Sequence, residues 1–142
     1  MIVDAHAHIC REFCGRTRGG DTRSLSYGRM TIGARELQFL PPYQEKTQFT
    51  AEMLLANMEW AGVDRAMLLQ GPTYGECNEY VSQTLELEAA RLSGAAYLDP
   101  WESQPLEAYG VILAMGRFRA IKLEFAVESG LCGLHPEARL DA

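Results

Sequence analysis

Segments that alternate polar and apolar residues recur along this chain, separated by segments with helical spacing. That order restricts the fold to parallel strand–helix–strand units. The first alternating run is Ile2–Ile9. Thr50 then reads as an N-cap, with Glu52 in the first turn where the helix dipole favours a carboxylate. The helix it opens carries Leu54, Met58 and Ala61 on one face, and Gly62 is placed to end it. A second strand is predicted over Arg65–Gln70, stopped by Gly71 and Pro72. Asn78 is predicted to cap a second helix in which Val81, Leu85, Ala89 and Leu92 share a face and which Gly94 ends. A third strand follows over Ala95–Leu98, closed by Asp99 and Pro100. A third helix spans 104–115, with Gly110 as its weak point. Phe118–Phe125 alternates again as the fourth strand, and the tail from Glu128 reads as loop. Residues 10–48 show no clear period; with their glycines, arginines and the Pro41–Pro42 pair they read as one long loop.

The chain has 142 residues, 47% of them apolar, enough for one domain with a real core. Its formal net charge of -6 argues against a nucleic-acid partner. No apolar run approaches the roughly 20 residues of a membrane-spanning helix. Met1 leads straight into the first strand without a basic, apolar leader. The expectation is a cytoplasmic chain whose Cys10, Cys14, Cys77 and Cys132 are thiols.

Asp4-Ala5-His6-Ala7-His8 is the sharpest chemical feature. Histidines two apart on a strand project to one face, and two neutral imidazoles on one face can chelate a divalent ion. An isolated pair of this kind is more often a buried structural feature. Here it closes the first strand of a βαβ chain, and in such folds the C-terminal strand ends carry the site. On the fourth strand Ala120, Lys122 and Glu124 alternate with the more apolar Ile121, Leu123 and Phe125. The apolar set suits the sheet–helix layer, which turns Lys122 to the other face, either towards a substrate or paired with Glu124 or Asp99. Gln70 and Asp99, at strand ends two and three, read as turn or capping residues. Arg11, Arg16, Arg18, Arg23, Arg29 and Arg35 are candidates for a substrate carboxylate, but each reads more simply as solvated. Cys10 and Cys14 beside the histidines fit no standard structural-zinc spacing, and His135 reads as a surface loop residue.

The segment Val3–Ile9 resembles the first strand of the amidohydrolase superfamily, in the branch called amidohydrolase-related or amidohydrolase family 2. Met53–Pro72 looks like that branch's first helix and second strand, Tyr97–Pro100 its third strand end and Ile121–Leu123 its fourth. The resemblance covers most of the chain outside 10–48. It implies a (β/α) barrel of TIM type, of which residues 1–142 supply about the first four strands as a single N-terminal half. It also implies a divalent metal, zinc or manganese, held by His6 and His8, with Lys122 contacting substrate. The family's later ligands, a fifth-strand histidine and an eighth-strand aspartate, have no counterpart here, and its general base is expected outside this chain. A full barrel needs about 250 residues. The implied reaction is metal-dependent hydrolysis of a small-molecule amide, lactone or related bond, the substrate possibly a carboxylate. The alternatives are non-oxidative decarboxylation, or a truncated, non-catalytic half-barrel; a second copy or a missing C-terminal half would complete the barrel. A nucleotide-binding domain would need a Gly-rich turn where His6-Ala7-His8 stands.

Overall fold

The computed structural model describes residues 1–101, 104–126 and 130–137. In chain order the elements are β1 (Val3–Ala7), β2 (Arg16–Thr17), β3 (Gly20–Ser24), β4 (Arg29–Ile32), β5 (Arg35–Gln38), α1 (Ala51–Ala61) and β6 (Arg65–Leu69). A single 3-10 turn (Pro72–Tyr74), α2 (Asn78–Leu87), β7 (Leu92–Tyr97), α3 (Pro105–Met115), β8 (Ala120–Lys122) and a four-residue α4 (Leu131–Leu134) complete it. Strands β1, β6, β7 and β8 form a parallel sheet in that order; β2 to β5 form a separate antiparallel sheet.

α1 follows its sequence signals closely. Thr50 is the N-cap in extended conformation, and Ala51, Leu54 and Met58 are buried. Gly62 takes the left-handed conformation at φ 69°, and its amide returns to the Glu59 carbonyl. A side chain at that φ is strained, so glycine ends the helix here.

α1 and α2 cover one face of the parallel sheet. Ala7, Ile9, Ala66, Leu68 and Leu92 from the sheet pack with Leu54, Met58, Val81 and Leu85 from the helices in one core cluster. Because strand side chains alternate, His6 and His8 must face the opposite side. Register puts Leu69 beside Ala95, and Tyr97 beside Lys122. The face opposite α1 and α2 therefore gathers the His pair and Lys122 at the C-terminal ends of the strands.

Strand β1 is not regular. Asp4 pairs with Ala66 but Ala7 pairs with Leu68, so β1 carries one extra residue. The bulge is anchored by Asp4, whose Oδ1 accepts the His6 amide at 2.9 Å. Bulges re-aim side chains at the ends of strands, and this one lies immediately before the His pair. Regular pairing ends at Ala7, so His8 and Ile9, expected within a strand over Ile2–Ile9, lie beyond its end.

The expected single loop over 10–48 instead carries the four strands of the antiparallel sheet. Its buried positions are filled by hydrogen-bonded threonines as much as by apolar residues, so no hydrophobic period shows. Thr22 Oγ1 accepts from the Gly15 amide and donates to the Thr73 carbonyl, both at 2.8 Å. Ser24 Oγ accepts from the Phe13 amide and donates to the Thr47 carbonyl. Met30 and Phe13 make a small second core. The turn between β3 and β4 places Tyr27 and Gly28 at φ 56° and 76°, an unusual conformation for tyrosine.

α2 and β7 also depart from expectation. α2 ends at Leu87; Ala89 is exposed, and Leu92 and Gly94 belong to β7. Gly94 serves packing rather than helix termination, since a Cβ there would lie 2.9 Å from Leu85 Cδ1. Asn78 is not the N-cap, which is Cys77. Its buried side-chain amide instead joins β7, donating to the Tyr97 carbonyl at 2.8 Å and accepting the Tyr97 amide at 2.9 Å.

α3 matches the helix expected over 104–115, whereas β8 is only three residues of the expected Phe118–Phe125. Within the tail expected as loop, 130–137 contains α4; residues 128–129 and 138–142 lie outside the described residues. Among the described residues, no helix is long and apolar enough to cross a membrane.

Candidate metal and anion site

The bulge and strand end bring the His6 and His8 rings edge-to-face, with centroids 4.8 Å apart. His6 is exposed and His8 half-buried. Tyr74, carried by the 3-10 turn Pro72–Tyr74, lies against His8 at 5.1 Å and against Phe13 at 5.6 Å. The His8 Nδ1 is buried and has no hydrogen-bond partner among the described residues. A buried, unpartnered imidazole nitrogen is costly unless something else engages it.

Burial is the main cause that pushes the His8 pKa down, followed by the charges of His6 and Lys122; the Leu69 backbone and Glu124 oppose it. His8 is therefore held neutral, the form that ligates metals. Burial likewise pushes the Tyr74 phenol up, with Cys10, Cys77 and Glu124 adding to it, so it stays protonated.

Lys122 forms a 2.9 Å ion pair with Glu124 Oε2, two residues beyond it. The hydrogen bond from Lys122 is the largest cause holding the Glu124 carboxyl below its usual range; burial opposes it, and the charge of His6 assists. Gly71 flanks the pair. A Cβ there would stand 3.9 Å from Glu124 Oε2 and 4.0 Å from Lys122 Nζ. Of the fates expected for Lys122, the structure shows the pairing with Glu124.

The strand-end polar residues are structural. Gln70 is fully buried; its Nε2 donates to the Ile9 carbonyl at 2.6 Å and its Oε1 accepts the Ile9 amide at 3.2 Å. It stitches the end of β6 to the residue after His8. Asp99 acts as a turn residue by accepting the Trp101 amide at 2.9 Å. It also pairs with His135 Nε2 at 2.6 Å. His135, expected as a surface residue, is half-buried and packs against Trp101. Arg11 lies over the Tyr80 ring at 4.3 Å, Arg16 pairs with Asp21 and Arg29 with Glu36. These three loop arginines thus have local partners.

All four cysteines are free thiols. Burial pushes Cys10 and Cys77 up to about 11 and raises Cys14 as well. Cys10 is buried in the second core, away from the His pair's exposed face.

Does this donor set fit a metal? In kind it does: two convergent imidazoles, one held neutral, with a buried nitrogen lacking a partner. In number it falls short. A catalytic zinc takes three protein ligands, and no group of three or more His, Cys, Asp or Glu able to hold a metal occurs among the described residues. Sequence reasoning found the His pair but missed Tyr74 as its packing partner, because neither spacing nor periodicity ties a residue after Gly71-Pro72 to β1.

No family model matches the chain. No curated protein matches it either. Among solved structures, it is similar to a probable 2-pyrone-4,6-dicarboxylic acid hydrolase from Acinetobacter baumannii, crystallised with citric acid bound. Identity is 16%, the TM-score is 0.49, and the match covers 87% of this chain and 37% of that one. The chain thus spans little more than a third of the length of that protein. At this score the likeness carries no argument about chemistry.

Proposed function

We propose that this chain carries the first-strand metal donors, His6 and His8, of a metal-dependent hydrolase acting on a small-molecule amide, lactone or related bond. The observation that carries the reading is the convergence of the two imidazoles at a bulged strand end, with His8 Nδ1 buried and unpartnered. A divalent metal such as zinc, when bound there, would supply an acidified water and polarise the scissile carbonyl. The chain's own residues do the rest. His8, neutral, presents its nitrogen. Tyr74 packs His8 in place. Gln70 fixes the backbone immediately after it. Lys122, paired with Glu124 at 2.9 Å, would meet a substrate carboxylate only in exchange for that partner.

A second reading is favoured by one observation, the lack of a third donor among the described residues. On it, the chain binds or assembles without turning over.

Turnover of a panel of small lactones and amides separates the two. The hydrolase reading expects hydrolysis that stops on chelation, returns with zinc, and is lost in His6→Ala. Hydrolysis unaffected by both treatments, or no hydrolysis of any member with zinc present, contradicts it.

A further inference from the structure

We propose that the chain has a second ligand site, independent of metal, which takes a small, largely apolar, uncharged molecule that donates one hydrogen bond to His135 Nδ1, a phenol in the simplest case. The site is a cavity of about 950 Å³ between α3, strands β2 and β3, and the C-terminal end of β7. That size suits a small ligand. None of His6, His8 and Lys122 lines it.

One wall is apolar. Ala108, Val111, Ile112 and Met115 line the cavity from α3, spaced as one face of a helix. Ile112 is buried yet belongs to neither core cluster, and Val111 is 54% exposed. Such a face ordinarily seats itself in a core. Here it borders a cavity, and Leu98 and Leu134 extend it. An apolar ring laid on this wall leaves water.

The polar end is built by Asp99 and His135. Both carboxylate oxygens are engaged: Oδ1 accepts the Trp101 amide at 2.9 Å, and Oδ2 pairs with His135 Nε2 at 2.6 Å. The Asp99 side chain is 8% exposed and that of His135 29%. The imidazole also packs on the Trp101 ring at 5.5 Å. A carboxylate only accepts, so Nε2 carries a proton, and Nδ1 of the neutral ring is left as an acceptor. Nδ1 has no hydrogen-bond partner among the described residues, and unlike His8 Nδ1 it is not sealed from solvent. The ring is thus fixed on one side and open on the other.

Charge selects against an anion. Arg16 and Arg23 line the cavity against Asp21, Glu76, Glu79 and Asp99, two cations to four carboxylates. A neutral donor satisfies Nδ1 without meeting that excess.

The test is calorimetric titration with 4-methylphenol and with 4-methylanisole, its methyl ether, which keeps the ring and lacks the donor. It is run near pH 8, well below the pKa of about 10 of a phenol. The phenol should bind about fivefold more tightly than the ether, the worth of one hydrogen bond. His135→Phe, which keeps a ring on Trp101, should bring the phenol to the level of the ether. Val111→Trp, at an exposed position, should fill the cavity and weaken both. Chelator, added zinc and His6→Ala should change neither, and 4-methylbenzoate should bind more weakly than the phenol. The chain has three histidines, so His6→Ala and His8→Ala identify the His135 imidazole in nitrogen NMR by elimination. Its Nδ1 resonance should move with the phenol and not with the ether, a result that stands even should His135→Phe not fold. No binding of either ligand, equal affinity for the two, or an advantage that survives His135→Phe overturns the proposal. So does binding that needs zinc or ignores Val111→Trp, tighter binding of the benzoate, or a His135 resonance that the phenol leaves unmoved.

Discussion

Gln70→Leu is expected to destabilise the fold by about 2–5 kcal/mol, although it replaces a side chain by one of similar size. The Gln70 side-chain amide bonds both the amide and the carbonyl of Ile9, which is itself fully buried. Leucine leaves both groups unsatisfied, and each buried orphan costs about 1–3 kcal/mol. The effect should be read by urea denaturation as a shift in midpoint without a change in slope. It should also loosen His8, the residue before Ile9. Gln70→Glu tests the same argument by charge. A carboxylate can accept the Ile9 amide but repels its carbonyl, whereas the protonated acid can donate. Burial raises the folded-state pKa of such a group. Its stability is therefore present at low pH and lost as pH rises through the raised pKa. A Gln70→Leu variant as stable as the wild type would mean that the Ile9 groups find other partners.

Gly15→Ala is expected to be the other severe substitution. A Cβ at Gly15 would lie 1.8 Å from the Pro72 carbonyl oxygen and 2.4 Å from the Gly75 nitrogen. These are backbone atoms, so no rotamer change relieves the overlap. Gly15 also exchanges hydrogen bonds with Thr22, donating to its hydroxyl and accepting its amide. The contact is where the antiparallel sheet meets the turn that carries Tyr74. A cost of about 3 kcal/mol follows from overpacking without relief. Amide exchange should show the damage locally first, with Thr22 and Ser24 losing protection before Leu68. Equal loss at all sites, or none, would contradict the account of this seam.

Helix α1 was legible from Thr50 to Gly62 because its start, apolar face and stop are all encoded locally. The His pair was legible because strand alternation turns both rings to one side. The antiparallel sheet was not, because Thr22 and Ser24 bury themselves through hydrogen bonds and leave no apolar period. Gly94 misled for a related reason. A glycine inside a strand that lets Leu85 approach looks, in sequence, like one that ends a helix. The bulge in β1 and the stacking of Tyr74 on His8 depend on register and on a contact across 66 positions, and neither leaves a local trace. Asp99 was readable as a turn residue, but its His135 partner, 36 residues on, was not.

The central claim is that His6 and His8 begin a metal centre. The most direct measurement is zinc content per chain after dialysis of the purified 142-residue protein against zinc and then metal-free buffer. The account predicts retained zinc, about one ion per site, and its loss in both His6→Ala and His8→Ala, with far-ultraviolet circular dichroism unchanged. No retained zinc in the folded wild type, or zinc that survives both substitutions, would contradict it.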